Sequence, residues 1–195
     1  MSIVGVLALQ GDFAEHAAIL RRLDADAREI RLPSDLEGVD RLIIPGGEST
    51  TIARLMEMYG LVEPIRAFAA HRPVWGTCAG MIVMARRATD LDRETLGLMD
   101  VSVVRNAFGR QLDSFETDLE IEELPGPPLH AVFIRAPLIK DAGPAVKVMA
   151  RIDGKGIVAA REGHLLATAF HPELTGDTRM HQYFLTLGGE VSSVK

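Results

Sequence analysis

The chain has 195 residues, 47% hydrophobic and 25% charged, with 18 glycines and 10 prolines; this composition excludes collagen-like, disordered and coiled-coil proteins and suits a globular one. The formal charge is −6 and the Lys and Arg residues are scattered, so the basic footprint of a nucleic-acid partner is missing. A lone cysteine cannot form an internal disulfide, no apolar run approaches the ~20 residues that cross a bilayer, and the first residues lack the basic region and cleavage site of a signal peptide, so a reducing cytoplasm with no membrane partner is the expected setting.

Ile3 to Leu9 is a continuous apolar run ended by Gln10-Gly11, the pattern of a strand buried on both faces. Asp12 followed by Glu15 marks a helix start, with Phe13, Ala17, Leu20 and Leu23 as its apolar stripe. Ala27 to Leu32 and Arg41 to Pro45 give two more strands around the polar segment Pro33 to Asp40. After Pro45-Gly46-Gly47, the residues Ile52, Leu55, Met56 and Tyr59 fall at helical spacing, and Gly60 suits the position that ends a helix. A helical run from Leu61 to His71 leads to a strand at Pro73 to Gly76 and then a helical segment from Ala79 to Ala85.

From Val101 the texture is strand-like: Val101 to Arg105, Leu119 to Leu124, Ala131 to Arg135, Val146 to Ile152, Ile157 to Arg161 and Leu165 to Phe170. A last helix is expected over Asp177 to Leu187, ended by Gly188-Gly189. Few aromatic residues (Phe 7, Tyr 2, Trp 1) among many Ala, Val, Ile and Leu point to aliphatic layers. The expectation is an α/β fold: a mostly parallel central sheet flanked by helices, with an antiparallel extension. No repeat or low-complexity linker divides the chain, so residues 1–195 read as a single domain.

Three groups carry chemistry. Gly76-Thr77-Cys78-Ala79-Gly80 is a G-x-C-x-G pattern between a strand and a helix, the setting of a nucleophile elbow. The glycines make room around a strained turn, and the helix N-terminus favours a thiolate; the alternative is an inert, buried cysteine. A thiol of ordinary pKa, about 8.5, needs a base. Of six histidines, His171 stands out because Pro172 holds it extended and Glu173, two residues on, projects to the same side. Glu173 can then bind one imidazole nitrogen and leave the other for Cys78; otherwise His-Pro-Glu is a surface turn.

The third group, Pro45-Gly46-Gly47-Glu48-Ser49-Thr50-Thr51, is a strand end, a diglycine and a helix start rich in capping residues. Gly46 and Gly47 can aim backbone N–H groups at an oxyanion, with the N–H of Ala79 as a further donor; a phosphate-cradling loop or a plain turn remains open, while a Walker A loop is excluded. His16, His71, His130, His164 and His181 lack a local partner pattern and read as solvated or core residues. No Cys/His cluster has metal-ligand spacing, so no metal is expected.

Taken together, the Pro-Gly-Gly-Glu-Ser loop, the Gly-Thr-Cys-Ala-Gly elbow and His-Pro-Glu resemble the class I glutamine amidotransferases, whose fold is flavodoxin-like. The strings Leu9-Gln10-Gly11, Glu15-His16, Arg105-Asn106-Ala107-Phe108-Gly109-Arg110-Gln111, Asp113-Ser114-Phe115-Glu116, Phe133-Ile134-Arg135-Ala136-Pro137 and Phe170 to Thr175 narrow the resemblance to the glutaminase subunits of pyridoxal 5′-phosphate synthases. The resemblance implies that L-glutamine is hydrolysed through a Cys78 thioester with His171 as base and Glu173 as its orienter. It further implies that Gly47, Glu48, Ser49, Arg105, Ile134 and Arg135 bind glutamine, and that Gln10 supports the oxyanion loop. Ammonia would pass to a synthase subunit that makes the vitamin B6 cofactor, and docking of that partner would raise a weak basal activity. The chain would need no cofactor of its own. Alternatives are a glutaminase subunit serving another acceptor, or a related cysteine hydrolase or redox-responsive module; stress-response relatives of that last kind place His directly after the cysteine, where this chain has Ala79.

Overall fold

The computed structural model describes residues 2–107 and 114–188. Of the motif strings, Phe108 to Gln111 and Asp113 lie outside the described residues, as does Gly189.

Strands β1 (Ile3–Leu7), β2 (Asp26–Ile30), β3 (Arg41–Ile44) and β4 (Val74–Thr77) alternate with helices α1 (Phe13–Arg22), α2 (Ser49–Met58) and α3 (Val62–Ala69), with a 3-10 turn at Pro33–Leu36. Next come α4 (Ala79–Met84), β5 (Ala85–Ala88), β6 (Met99–Val104), β7 (Ser114–Leu119), β8 (Leu129–Ile134), β9 (Leu138–Ala142), β10 (Lys147–Ile152), β11 (Gly156–Glu162) and β12 (Leu165–Thr168). A 3-10 turn at Pro172–Leu174 and helix α5 (Arg179–Thr186) follow.

The main sheet runs β2-β1-β3-β4-β12-β11-β9-β6-β5, with β10 paired to β11. Strands β2, β1, β3, β4 and β12 are mutually parallel, and the sheet continues through antiparallel β11, β9 and β6. This is the α/β arrangement expected from the sequence, antiparallel extension included. The returning chain inserts β12 beside β4, so the last strand joins the parallel half. Every residue of β4 and β12 is buried, as strands covered by helices on both faces must be. Strands β7 and β8 form a separate antiparallel ribbon.

Several expected boundaries move. The strand expected over Leu119 to Leu124 is instead Ser114–Leu119; Leu119 and Ile121 are buried, but the chain turns at Glu123, whose φ is 68°. The helical segment expected to reach Ala85 ends at Met84 and becomes β5, parallel to β6. Strand β9 has no counterpart in the sequence reading. Tyr59, placed in the apolar stripe of α2, is the helix C-cap and is exposed. Gly60 ends that helix with φ 66°, while Leu61 donates back to Met56, the closing pattern that favours glycine.

Glu123 joins three elements: it accepts from Lys147 of β10 (2.7 Å), from Arg161 of β11 (3.4 Å) and from the Tyr183 hydroxyl of α5. The Lys147 ammonium, aided by Tyr183, holds its carboxyl down to about 2 against the opposing effect of burial. A carboxyl depressed in the folded state stabilises above its unfolded pKa of about 4.3, and that stabilisation disappears as pH falls toward the folded value. Glu123→Gln is therefore expected to lower the unfolding free energy by about 1 kcal/mol at pH 7. In urea titrations at successive pH values, the gap between variant and parent should close between pH 4.5 and 2.

Candidate active site

The last residue of β4 is Thr77, and Cys78 turns the chain sharply into α4 with φ 46° and ψ −103°. That is the positive-φ conformation costing a side chain of this kind about 1–3 kcal/mol, and it is held from both sides. The Cys78 N–H donates to the Thr168 carbonyl of β12 at 2.8 Å, so the sheet ladder continues into the turn. A Cβ on Gly76 would lie 2.5 Å from the Gly80 carbonyl carbon and from the Met84 sulfur, and one on Gly80 would lie 1.9 Å from the Ile44 carbonyl oxygen. Both glycines are thus required by close backbone approach, as the elbow pattern demanded. Cys78 is 6% exposed.

His171 follows β12 and precedes a 3-10 turn; Glu173 lies inside that turn. Their pairing is as expected but its local cause differs: the segment curls at Pro172 and is not a continued strand. The His171 Nδ1 is 2.7 Å from Glu173 Oε1, and the ring lines the same cleft as Cys78. Desolvation pulls the imidazole pKa down, but the Cys78 sulfur and the Glu173 carboxylate outweigh it and push it up to about 10. Burial pushes the Glu173 carboxyl up, opposed by the hydrogen bond from His171.

Cys78, Ala79 and His171 share a cleft of about 690 Å³ with Gln10, Asp12, Gly47, Glu48, Ser49, Arg105, Ile134 and Arg135. Gln10 Oε1 accepts from the Glu48 N–H at 2.7 Å, which ties the diglycine loop to the end of the β1 segment. Gly47 has φ 152°, and a Cβ there would lie 2.5 Å from Gln10 Oε1. Gly46 is the one expected oxyanion residue absent from the cleft lining: it is buried, its carbonyl accepts from the Asp12 N–H at 3.1 Å, and a Cβ would meet the His171 ring at 2.5 Å. The Glu48 carboxylate caps α2 through the Thr50 and Thr51 N–H groups; those bonds overcome its desolvation and lower its pKa. Ser49 is 3% exposed. Arg105 bonds the Asp90 carbonyl and lies 3.4 Å from Glu48 Oε1. The Ile134 carbonyl is 3.8 Å from the Cys78 sulfur, and Arg135, with φ 44°, is exposed at the rim.

Asp12, Ile82, Asn106 and Ser114 line the cleft without having been assigned to it from the sequence, and His16 lies behind it. Asp12 was read as a helix cap, yet its side chain makes no capping bond to α1; its Oδ2 lies 3.4 Å from His171 Nδ1, and burial raises its pKa against the pull of His171. His16 is fully buried behind Glu173, with Nε2 3.3 Å from Oε2. A usable signal existed for His16: it falls three residues after Phe13 and four before Leu20, on the buried face of α1. Asp12, His171 and Glu173 present ligand atoms within 4.8 Å of one another and could hold a metal ion, although His171 Nδ1 is already engaged by Glu173.

Fold and site together define a class: an α/β protein with a cysteine on a strand–helix elbow, a histidine–carboxylate pair just after the adjacent strand and a diglycine loop at the cleft, a set able to perform nucleophilic acyl transfer. The model of the SNO glutamine amidotransferase family matches residues 6–188. Pyridoxal 5′-phosphate synthase subunit PdxT of Roseiflexus castenholzii is 56% identical over 187 residues, covering 94% of this chain and 99% of that protein. The same-named subunit of Herpetosiphon aurantiacus is 56% identical over 188 residues, again covering 94% and 99%. A crystal structure of a glutamine amidotransferase superposes with a TM-score of 0.90 at 49% identity, covering 95% of this chain and 98% of that one. The chain belongs to the SNO glutamine amidotransferase family.

Because Gly80 is helical, alanine there would ordinarily stabilise by about 1 kcal/mol. The 1.9 Å approach to the Ile44 backbone reverses that sign, since neither partner is a flexible side chain. Gly80→Ala is expected to lower stability by about 1–3 kcal/mol, read as a lower urea midpoint with an unchanged m-value.

Proposed function

We propose that the chain is the glutaminase subunit of a pyridoxal 5′-phosphate synthase, hydrolysing L-glutamine to glutamate and ammonia and passing the ammonia to a synthase subunit. The observation that carries this reading is Cys78 and His171 at one cleft, with the Glu173 carboxylate bound behind the imidazole, in a chain more than half identical to proteins named as subunits of that synthase. Among the described residues no helix is long and apolar enough to cross a membrane; a free thiol nucleophile suits the cytoplasm.

His171 takes the Cys78 thiol proton, and the sulfur attacks the side-chain amide carbon of glutamine, forming a C–S bond and moving the carbonyl electron pair onto oxygen. The backbone N–H groups of Gly47 and Ala79 receive that oxyanion. Collapse of the tetrahedral species breaks the C–N bond as His171 donates its proton to the departing nitrogen, leaving ammonia and a γ-glutamyl thioester. His171 then takes a proton from water, whose oxygen attacks the thioester; glutamate departs and the sulfur is restored. Throughout, Glu173 keeps the Nδ1–H oriented and offsets the imidazolium charge. Arg105 and Arg135 at the cleft offer the charge that a substrate α-carboxylate requires.

Partner docking acts on the diglycine loop, whose two ties, Asp12 N–H to Gly46 and Glu48 N–H to Gln10, both lead back to the turn between β1 and α1. A partner that shifts this turn re-aims the loop donors.

Release of ammonia from glutamine, measured with and without the synthase subunit, tests the reading; a partner that leaves turnover unchanged and accepts no ammonia overturns it. Cys78→Ala is expected to abolish turnover while leaving the fold and partner docking nearly intact, and parent-level activity would remove Cys78 from the mechanism. His171→Asn is expected to stop covalent labelling by a glutamine-like affinity reagent, as followed by intact-protein mass spectrometry; normal labelling contradicts its role as base.

A further inference from the structure

We propose that His16 is a positioning residue for this site: its neutral imidazole donates the Nε2–H toward Glu173 and thereby holds the carboxylate in place against His171. The inference rests on the reading of Glu173 as the orienter of His171.

His16 has three polar neighbours. Its Nδ1 is 2.9 Å from His181 Nε2, and its Nε2 is 3.2 Å from Thr77 Oγ1 and 3.3 Å from Glu173 Oε2. All four residues are buried. A neutral imidazole carries one N–H and one lone pair, so two patterns are available. In the first, His16 donates from Nδ1 to His181. Its Nε2 lone pair then faces the carboxylate oxygen, and His181 must carry its own proton on Nδ1, a buried atom that finds no hydrogen-bond partner among the described residues. In the second, His181 donates from Nε2 to His16 Nδ1, and His16 carries its proton on Nε2, shared between Thr77 Oγ1 and Glu173 Oε2. That leaves a lone pair on His181 Nδ1 without a partner and turns the Thr77 hydroxyl proton away from His16, but it sets an N–H, not a lone pair, against the carboxylate oxygen at 3.3 Å. Only the second pattern makes every short contact around His16 attractive.

Burial keeps both rings neutral, as this pattern requires. It lowers His181 to about 3 and, with the charges of His181 and His171, takes His16 well below its ordinary value. The ring is also fixed sterically, its centroid 5.7 Å from Trp75 and 5.1 Å from His181. The titratable groups facing His16 are therefore His181 from α5, Glu173 and, beyond it, His171 from the segment after β12, and Asp12 one turn earlier on its own element.

The consequence falls on Glu173. Oε1 is taken by His171, while Oε2 is buried and has no hydrogen-bond partner among the described residues; a His16 N–H 3.3 Å away adds to His171 in favouring the ionised form. Removing that donor raises the carboxyl pKa, so activity that needs ionised Glu173 retreats to higher pH.

The test uses the complex with its synthase subunit. In the unaltered protein, 15N-histidine NMR should show His16 as the Nε2–H tautomer without titration between about pH 5 and 9; an Nδ1–H tautomer or a titration in that range overturns the proposal. His16→Leu should lower kcat by about tenfold to a hundredfold, change KM less than about threefold and move the acid limb of the kcat profile to higher pH. His16→Gln, which can present an amide N–H at the same reach, should recover most of the loss and restore the limb. Equal losses in the two variants, or an unmoved acid limb in the leucine variant, would assign His16 to packing alone. If the leucine variant does not fold, the tautomer and the glutamine variant's pH profile decide. Glu173→Gln separates this proposal from the reading beneath it: parent-level turnover there removes the orienter itself, whereas a dead Glu173→Gln beside an unaffected His16→Leu removes only His16.

Discussion

The four in-register residue pairs between β4 and β12, from Leu165 opposite Val74 to Thr168 opposite Thr77, determine where the chemistry can occur. The two strands are parallel, so both end at the same edge of the sheet, the edge at which open α/β sheets bind ligands. At that edge the two chains diverge. Cys78 turns into α4 under a positive φ, while residues after Thr168 run on to His171, whose N–H donates to the Val132 carbonyl of the β7–β8 ribbon at 2.8 Å. A slip of one residue would exchange the buried faces of β12. The register is secured by burial of both strands and by the Trp75 indole N–H, which donates to Thr168 Oγ1 at 3.1 Å.

That security carries an unusual load of buried polarity. Directly beneath the elbow lie His16, Thr77, Thr168 and His181, each fully buried, together with the Trp75 indole. Apolar side chains of similar volume would serve stability as well, but they would form no hydrogen bonds like those of His16 with His181 and Thr77, and would set no imidazole nitrogen against Glu173. In a medium of low dielectric such bonds are strong when made and costly when absent, so the cluster admits few arrangements. A carboxylate resting on it inherits that rigidity, which a surface carboxylate would lack.

How much could be read from the sequence follows from the same geometry. Strands β1, β3, β4 and β12 are covered on both faces, and burial writes them as continuous apolar runs. Strand β5 (Ala-Arg-Arg-Ala) lies at the end of the sheet with both arginines exposed, and β9 (Leu-Ile-Lys-Asp-Ala) is buried only at its start, so neither leaves such a run. The β7 residues before Leu119 alternate between exposed and half-buried, a weak pattern beside buried Leu119 at the strand's end and Ile121 just beyond it. At the site, Cys78, His171 and Glu173 were legible because their constraints are local: flanking glycines for the cysteine, a proline between the other two. Asp12 and His16 act on residues that are distant in sequence, and no local pattern encodes a contact formed only when β12 docks against β4.

Asp12 shows why the diglycine loop and the histidine cannot be treated as separate parts. Its carboxylate and that of Glu173 both approach His171 Nδ1, at 3.4 and 2.7 Å, but the Glu173 side chain is fully buried whereas that of Asp12 is 37% exposed. The shorter bond in the lower dielectric holds the proton-bearing nitrogen, and the Asp12 side chain stays at the cleft wall. Its backbone N–H meanwhile binds the Gly46 carbonyl, and Gly46 packs so closely on the imidazole that only a hydrogen fits where a Cβ would be. The loop and the ring to which the proposed reaction gives the substrate oxygen and the proton are therefore anchored at one residue. Any displacement of the β1–α1 turn reaches both of them together.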